Sequence, residues 1–331
     1  MPRLIFYLIL IFYHFTSFSL LKTSFHGINI SGMEKVWEQP DFSSKIIISK
    51  IRSARTLGFN SFRLPIAVEH FIDSDPRFFK ELRKVVRYTN DNKLELVLVY
   101  FDHMLTEENS KCKSEEVGLN WNRILKYLNL KGQLNGVYVE LANEPQLNPQ
   151  TWEIIWPNMV EIIRDKNPDI PIIIGATNFN SLFELSRTTP LDLKNLIYTF
   201  HYYEPYIFTH QGTEWTGNQN STTGIPYPYQ KEIMPQISAF ADGTSGKVNY
   251  RDYYLTGNKV ALEDKIGQIS SWARKHQVTL WCTEYGASVN ADSDSRMAYL
   301  IDVNAVLNDF QIPGFVWEWE GNFGIKELVR N

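Results

Sequence analysis

Short, nearly continuous apolar runs alternate along the chain with stretches in which apolar residues recur every three or four positions. The runs are GINIS (27–31), FNSFRLPI (59–66), LELVLVYF (94–101), VYVELA (137–142), IPIIIGA (170–176), LIYTFHYY (196–203), VTLWCTEYG (278–286) and GFVWEW (314–319). Apolar residues on both faces of a short strand are what a parallel sheet covered on both sides requires. Between the runs lie SSKIIISKIRSARTLG, RFFKELRKVVRYTNDN, NWNRILKYLNL, TWEIIWPNMVEIIRDK, SLFELSR, LEDKIGQISSWARKH and SRMAYLIDVNAVLNDF. Most are helical in spacing, as at Ile51, Ala54 and Leu57 in the first.

Strand and helix in alternation, eight strands in all, predict an α/β fold: a (β/α)8 TIM barrel in one domain over residues 22–331. A doubly wound open sheet is the alternative, and it calls for a Gly-rich phosphate turn after the first strand. The segment ISGMEKVW offers none. The charged run EENSKCKSEE (107–116) reads as a solvated loop. The long connection from 204 to 260, rich in Tyr, Gly, Thr and Asn, reads as a loop on the substrate side.

The first residues do not fit the alternation. A positive start (MPR), an apolar run (LIFYLILIFY) and small residues (FTSFS) make the three-part layout of a secretory signal peptide, taken as residues 1–20. A retained anchor is the alternative, but the run is short for a span of roughly 20 residues. No later segment is long and apolar enough to cross a bilayer, so the mature chain is expected to be exported, secreted or periplasmic, and free of the membrane.

A net charge of −4 without any Lys/Arg block argues against nucleic acid or an anionic membrane surface as partner. The 9 Trp and 17 Tyr exceed what a core alone needs, and flat, partly polar rings suit the apolar faces of sugars. Cys112 and Cys282 are too few for a disulfide scaffold and lie in dissimilar settings, one charged and one apolar, so pairing between them is not expected. No CxxC, HExxH or His-rich cluster is present, so a structural or catalytic zinc is not indicated.

In a barrel the C-terminal ends of the strands converge on one mouth. The predicted ends carry Arg63 (strand two), Asp102 and His103 (three), Asn143 and Glu144 (four), His201 and Tyr203 (six), Glu284 and Tyr285 (seven), and Trp317 and Trp319 (eight). Glu144 and Glu284 stand three strands apart around the ring and face each other. Paired carboxyl groups about 5–5.5 Å apart suit a retaining glycosidase, and roughly 6.5–9.5 Å an inverting one. Spacing along the chain sets neither distance, nor which carboxyl is acid and which nucleophile. Arg63 would keep one of them ionised, and Tyr203 or His201 would orient the other. Glu140, in mid-strand, is expected to meet an internal partner. Trp215 and Trp317 are read as sugar contacts; Trp121, Trp152, Trp156 and Trp272 sit in helical runs and are read as packing.

In this order, GINISGMEKVW, SFRLPI, VYVELANEP, FHYYEPYIFTHQG, LWCTEYGA and VWEWEG resemble glycoside hydrolase family 5, of the clan of (β/α)8 retaining glycosidases. The resemblance implies that Glu144 is the acid/base and Glu284 the nucleophile. It implies that Asn143 binds the sugar 2-hydroxyl, that Arg63 and Tyr203 support the nucleophile, that His103 and His201 line the point of cleavage and that Trp317 is its floor. The loop YEPYIFTHQGTEW resembles that of bacterial cellulases, which implies endo-β-1,4-glucanase action on a polysaccharide or oligosaccharide; separately, the chain is expected to be a monomer. The glycosidase mechanism that the resemblance implies needs no cofactor. Mannanases and other β-glycanases of the family are the alternative within enzymes. The alternative outside them is a non-catalytic carbohydrate-binding barrel, against which stands the presence of both Glu144 and Glu284. Glu318 and Glu320, on either side of Trp319, are left without a role.

Overall fold

The computed structural model describes residues 26–38, 41–101, 104–129 and 134–329; the leader expected at 1–20 and His103 lie outside them. Eight parallel strands close into a barrel in chain order, β1 (Gly27–Asn29), β2 (Ser61–Ile66), β3 (Glu95–Tyr100), β4 (Val137–Glu140), β5 (Ile172–Gly175), β6 (Leu196–Tyr202), β7 (Thr279–Tyr285) and β8 (Gly314–Val316). β1 pairs with both β2 and β8, which completes the ring. Each expected strand is present, and the open-sheet alternative is thereby set aside.

Burial on two sides explains the continuous apolar runs. Phe62, Leu64 and Ile66 of β2 and Leu96, Leu98 and Tyr100 of β3 point outward into the large core shared with the helices. Their inward neighbours Val97, Val99, Ile173, Ile197, Trp281 and Phe315 fill the barrel as a separate cluster. Trp281 stacks on Phe315 with ring centroids 5.6 Å apart, which closes the lower part of the barrel. The polar inward residues therefore sit above this plug, toward the strands' C-terminal ends.

The longer helices are Ser44–Arg55, Phe78–Asp91, Ser110–Leu128, Pro149–Lys166, Lys259–His276 and Ser293–Asp309. Side-chain caps mark several of the starts: Asn148 accepts from Gln150 N ahead of Pro149, Asn258 from Ala261 N, and Asp292 from Ser295 N. Trp121, Trp152, Trp156 and Trp272 are buried, as expected of helix-borne packing residues.

Two expectations need correction. The run 107–116 is not simply a loop, because the helix begins at Ser110 and takes in Cys112. Its apolar stripe starts only at Val117, so the first turns carry charge, and Lys113 is held there by Glu69 at 2.5 Å and Glu116 at 3.2 Å. The connection 204–260 is likewise not all loop, since it contains the helix Ser245–Thr256. That helix buries only Gly246 and Tyr253; Gly246 is required because a Cβ there would lie 2.0 Å from Gln219 O. Cys112 and Cys282 are both free, the first exposed and the second buried. Among the described residues no helix is long and apolar enough to cross a membrane.

Candidate active site

Arg63 organises the floor of the mouth. It lies in the middle of β2 rather than at its end, pointing inward, with no exposure to solvent. All five of its N–H groups are used. Nε and Nη2 donate to Glu140 at 2.8 and 2.7 Å, Nη2 also to Asn143 Oδ1 at 2.8 Å, and Nη1 to Asn29 Oδ1 at 2.8 Å and Glu284 Oε1 at 2.5 Å. Burial alone would lower its pKa, but the carboxylates of Glu140 and Glu284 outweigh that and raise it. Glu140 thus has the internal partner expected of it.

Glu284 reaches the mouth through an irregularity. On β7, Trp281 and Thr283 point inward and Cys282 and Tyr285 outward, so simple alternation would send Glu284 to the helices. The register against β6 slips here: Phe200 pairs with Cys282, and His201 with Glu284. One extra residue in β7 is a β-bulge, and it re-aims Glu284 into the barrel. Arg63 takes its Oε1, and the Tyr203 hydroxyl donates to Oε2 at 2.8 Å. Burial pushes the Tyr203 phenol up, with the nearby carboxylates adding to it, so the hydroxyl remains a donor. The Glu284 carboxyl is itself raised by burial and by Glu144, while His201, Arg63 and the Tyr203 hydrogen bond act against that.

Glu144 follows the end of β4 with φ 44°, a left-handed conformation that costs a non-glycine residue about 1–3 kcal/mol. Its carbonyl accepts from Gln146 Nε2 at 2.7 Å, which helps hold that geometry. The side chain is a quarter exposed, open to the mouth. Unlike Glu284 it takes none of the five Arg63 hydrogen bonds; its partner is His201, whose Nδ1 lies 2.7 Å from Oε1. Burial pushes the Glu144 carboxyl up to about 7, only partly offset by the positive charge of Arg63. His201 Nδ1 also lies 3.4 Å from Glu284 Oε2, and one oxygen of each carboxylate and this nitrogen all fall within 4.8 Å of one another. Both oxygens of Glu284 already accept hydrogen bonds, so a cation among these three groups would compete with the guanidinium. Asn143 sits beside Glu144 with Oδ1 committed to Arg63, which leaves its amide nitrogen as the donor.

Aromatic side chains surround the pair. Tyr203 packs edge-on against His210 (5.2 Å) and Phe323 (5.7 Å), and Phe323 leads on to Trp215 at 6.3 Å. Tyr206 stacks on His210 at 4.0 Å and lies close enough to Glu144 for its charge to raise the phenol, after burial. Trp215 is 60% exposed. Trp317, directly after β8, is half-buried, and its backbone N–H donates to Tyr285 O at 2.8 Å. Trp319 does not belong to the rim: it turns back into the core. Glu318 is buried, accepts from Phe323 N, and is raised by burial, whereas Glu320 pairs with Lys50 and Lys326.

The structure thus brings Arg63, Asn143, Glu144, His201, Tyr203 and Glu284 into one network. Several neighbours were not expected from the sequence: Asn29 on Arg63, Asn180 and Thr283, which contact His201 Nε2, Phe323 against Tyr203, and, in the same aromatic group, His210 and Tyr206. The segment YEPYIFTHQG held a signal for the last two, being dense in rings directly after a site strand. Asn180 had none.

Residues 21–323 match the family described as Cellulase (glycosyl hydrolase family 5). Endoglucanase 3 of Fibrobacter succinogenes is 26% identical over 329 residues, covering 90% of this chain; the chain spans about half (49%) of that protein. Endoglucanase C of Acetivibrio thermocellus is 25% identical over 317 residues, covering 89% of this chain and 90% of its own length. The crystal structure of a hyperthermophilic endo-β-1,4-glucanase with substrate has a TM-score of 0.73 at 24% identity, covering 93% of each chain, a likeness of fold.

Proposed function

The chain belongs to the cellulase family, glycosyl hydrolase family 5, and from that premise we propose that it is a retaining endo-β-1,4-glucanase. Glu144 protonates the departing glycosidic oxygen while Glu284 attacks the anomeric carbon. Water deprotonated by Glu144 then releases the glycosyl-enzyme with net retention. Asn143 holds the sugar 2-hydroxyl, Arg63 and Tyr203 support Glu284, His201 lines the point of cleavage, a role the family resemblance gives to His103 as well, Trp317 floors it, and Trp215 binds a sugar further along the chain. No cofactor takes part.

The observation that carries this reading is the approach of the two carboxylates, with an oxygen of each within 4.8 Å of the other. That favours direct attack, because an inverting pair about 6.5–9.5 Å apart leaves room for a water between them. The two environments support the assignment of roles. Glu284 is held by a guanidinium and a phenol, as a nucleophile needs, and Glu144 has a pKa near 7, as an acid that must keep its proton near neutrality needs.

The test is a panel of carboxymethylcellulose, mixed-linkage glucan, galactomannan and xylan with reducing-end detection, and NMR of the first anomer released. Rapid chain scission of the glucans with a β-anomer first is expected. Preference for galactomannan would replace the substrate, an α-anomer first would overturn the mechanism, and inertness on all four would favour a binding protein. The same proposal places the enzyme outside the cytoplasm as a monomer, its leader removed near residue 20, where an insoluble polymer is accessible. N-terminal sequencing of exported protein and size-exclusion chromatography check this.

A further inference from the structure

His201 is the side chain that touches both Glu144 and Glu284, and its far ring nitrogen, Nε2, is held from the β5 side. Asn180 Nδ2 lies 3.1 Å from Nε2, with the whole Asn180 side chain buried. Three consecutive left-handed residues deliver that amide: Asn178 (φ 55°, ψ 58°), Phe179 (φ 61°, ψ 44°) and Asn180 (φ 51°). Such a run is sterically disfavoured for L-residues and persists only where its surroundings impose it. Gly175, at the end of β5, makes the space: a Cβ there would fall 2.1 Å from Asn180 Oδ1 and 2.7 Å from Nδ2. Ser181, next in the chain, pairs with His201 as an isolated parallel bridge. A strained turn, a missing side chain and a backbone bridge all place one amide against one imidazole nitrogen.

We propose that Asn180 is a positioning residue whose amide holds His201 in its Nδ1–H tautomer, so that the ring donates to Glu144 and Glu284 and does not compete for the acid's proton. The proposal deepens the glycosidase reading and rests on it. An amide nitrogen can only donate, so Nε2 must present its lone pair, and the single proton of a neutral imidazole then sits on Nδ1. The other end of the ring favours the same arrangement, because Nδ1 also lies 3.4 Å from Oε2 of Glu284, an ionised carboxylate that can only accept. Burial keeps the ring neutral, with a pKa lowered to about 4. The Thr283 hydroxyl, 3.1 Å from Nε2 and 2.7 Å from Thr199 Oγ1, can donate or accept and adapts to whichever the amide sets.

The consequence is chemical. With the proton on Nδ1, His201 stabilises ionised Glu144, the form that must deprotonate water in the second step. With the proton on Nε2, a bare Nδ1 would accept the Glu144 proton and hold it back from the leaving oxygen. Turning the Asn180 amide over would face Oδ1 to the ring and impose that second state. In the present orientation Nδ2 faces the ring and Oδ1 has no hydrogen-bond partner among the described residues. The amide orientation thus decides the tautomer.

The full chain labelled with 15N-histidine tests this through long-range 1H–15N correlations, which read the protonated nitrogen of each ring near pH 7. The His201 signals are identified by their absence in His201→Gln. A protonated Nδ1 and bare Nε2 are expected; a protonated Nε2 overturns the proposal, and this reading needs no Asn180 variant to fold. Kinetically, Asn180→Ala should lower kcat/KM about tenfold on cello-oligosaccharides, a fraction of the usual acid–base contribution. On 2,4-dinitrophenyl β-cellobioside, whose leaving group needs no proton, the loss should stay under about twofold. Equal losses on both substrates, or none on either, overturn it. Because the tautomer is read without turnover, a chain inert on every glucan would sink the functional reading and leave the tautomer to be judged separately.

Discussion

Arg63 and Glu140 meet fork to fork, Nε to Oε2 at 2.8 Å and Nη2 to Oε1 at 2.7 Å, with neither side chain reaching solvent. The pair lies beneath the mouth, and its effect on the chemistry is indirect: it fixes the guanidinium so that Nη1 meets Glu284. Glu140→Ala leaves a buried cation with two of its five hydrogen bonds gone, and breaking a buried pair costs about 3–5 kcal/mol. The variant should melt well below wild type and lose activity even where it is still folded. Arg63→Lys should fail similarly, because a point charge cannot serve five acceptors in a plane. Thermal melts beside kcat/KM check both; an unchanged melting temperature in Glu140→Ala would contradict the finding.

Glu284→Gln and Glu144→Ala should be distinguishable by leaving group. Without Glu284 no glycosyl-enzyme forms, and less than about a hundredth of the wild-type rate should survive on any substrate, against an ordinary acid–base contribution of about 10²–10⁴. Without Glu144 the first step should survive on dinitrophenyl cellobioside and fail on cello-oligosaccharides. Added azide should then accept the glycosyl group of the Glu144→Ala enzyme with retention. An inverted azide product from that variant would exchange the two roles.

The pH dependence follows from the same two groups. On the proposed mechanism activity needs Glu284 ionised and Glu144 protonated, so kcat/KM should be bell-shaped, falling on the alkaline side as Glu144 loses its proton near pH 7. The acid limb should lie above the ordinary carboxylate range, because burial raises Glu284. The two limbs belong to the coupled pair. Stability should respond in the opposite sense to an ordinary ion-paired carboxylate. The folded-state pKa of Glu144 exceeds its unfolded value of 4.5, so the native state holds the proton more tightly, and stability is lost as pH rises from about 4.5 to about 7. Glu144→Gln abolishes this ionisation. Its melting temperature relative to wild type should therefore rise from pH 5 to pH 8, and a constant difference would show that Glu144 does not titrate in that window.

The strands were legible because a barrel strand buried on both faces leaves a continuous apolar run, and the strand-end residues because the barrel brings them to one mouth. What periodicity conceals is any local departure from it. Alternation from Trp281 and Thr283 would turn Glu284 outward, and the slip in register between β6 and β7 is visible only in the pairing. Ser110–Glu116 reads as loop because its helix begins two turns before its apolar stripe. Ser245–Thr256 has no stripe wide enough to see, since it buries little. Asn180 reads as an ordinary turn residue, and its position depends on a left-handed run and on space left by Gly175, neither of which is a pattern of residue types.

Trp215 offers the sharpest test of how far the binding surface extends. Its ring is 60% exposed yet continues a line of aromatic contacts, Tyr203 to Phe323 at 5.7 Å and Phe323 to Trp215 at 6.3 Å, that starts at the hydroxyl holding Glu284. A sugar face covering such a ring removes enough apolar surface from water to be worth about 1–2 kcal/mol. A residue that binds a distant sugar contributes equally before and during bond cleavage, so its loss should appear in KM and leave kcat alone. Trp215→Ala should therefore raise KM about tenfold on long cello-oligosaccharides, and have little effect on a substrate too short to reach it. Phe323→Ala should behave differently, because that ring also braces Tyr203, and kcat should fall with it. If Trp215→Ala instead lowered kcat at constant KM, the ring would be acting on the reacting centre through Phe323 and Tyr203 and not as a platform for sugar.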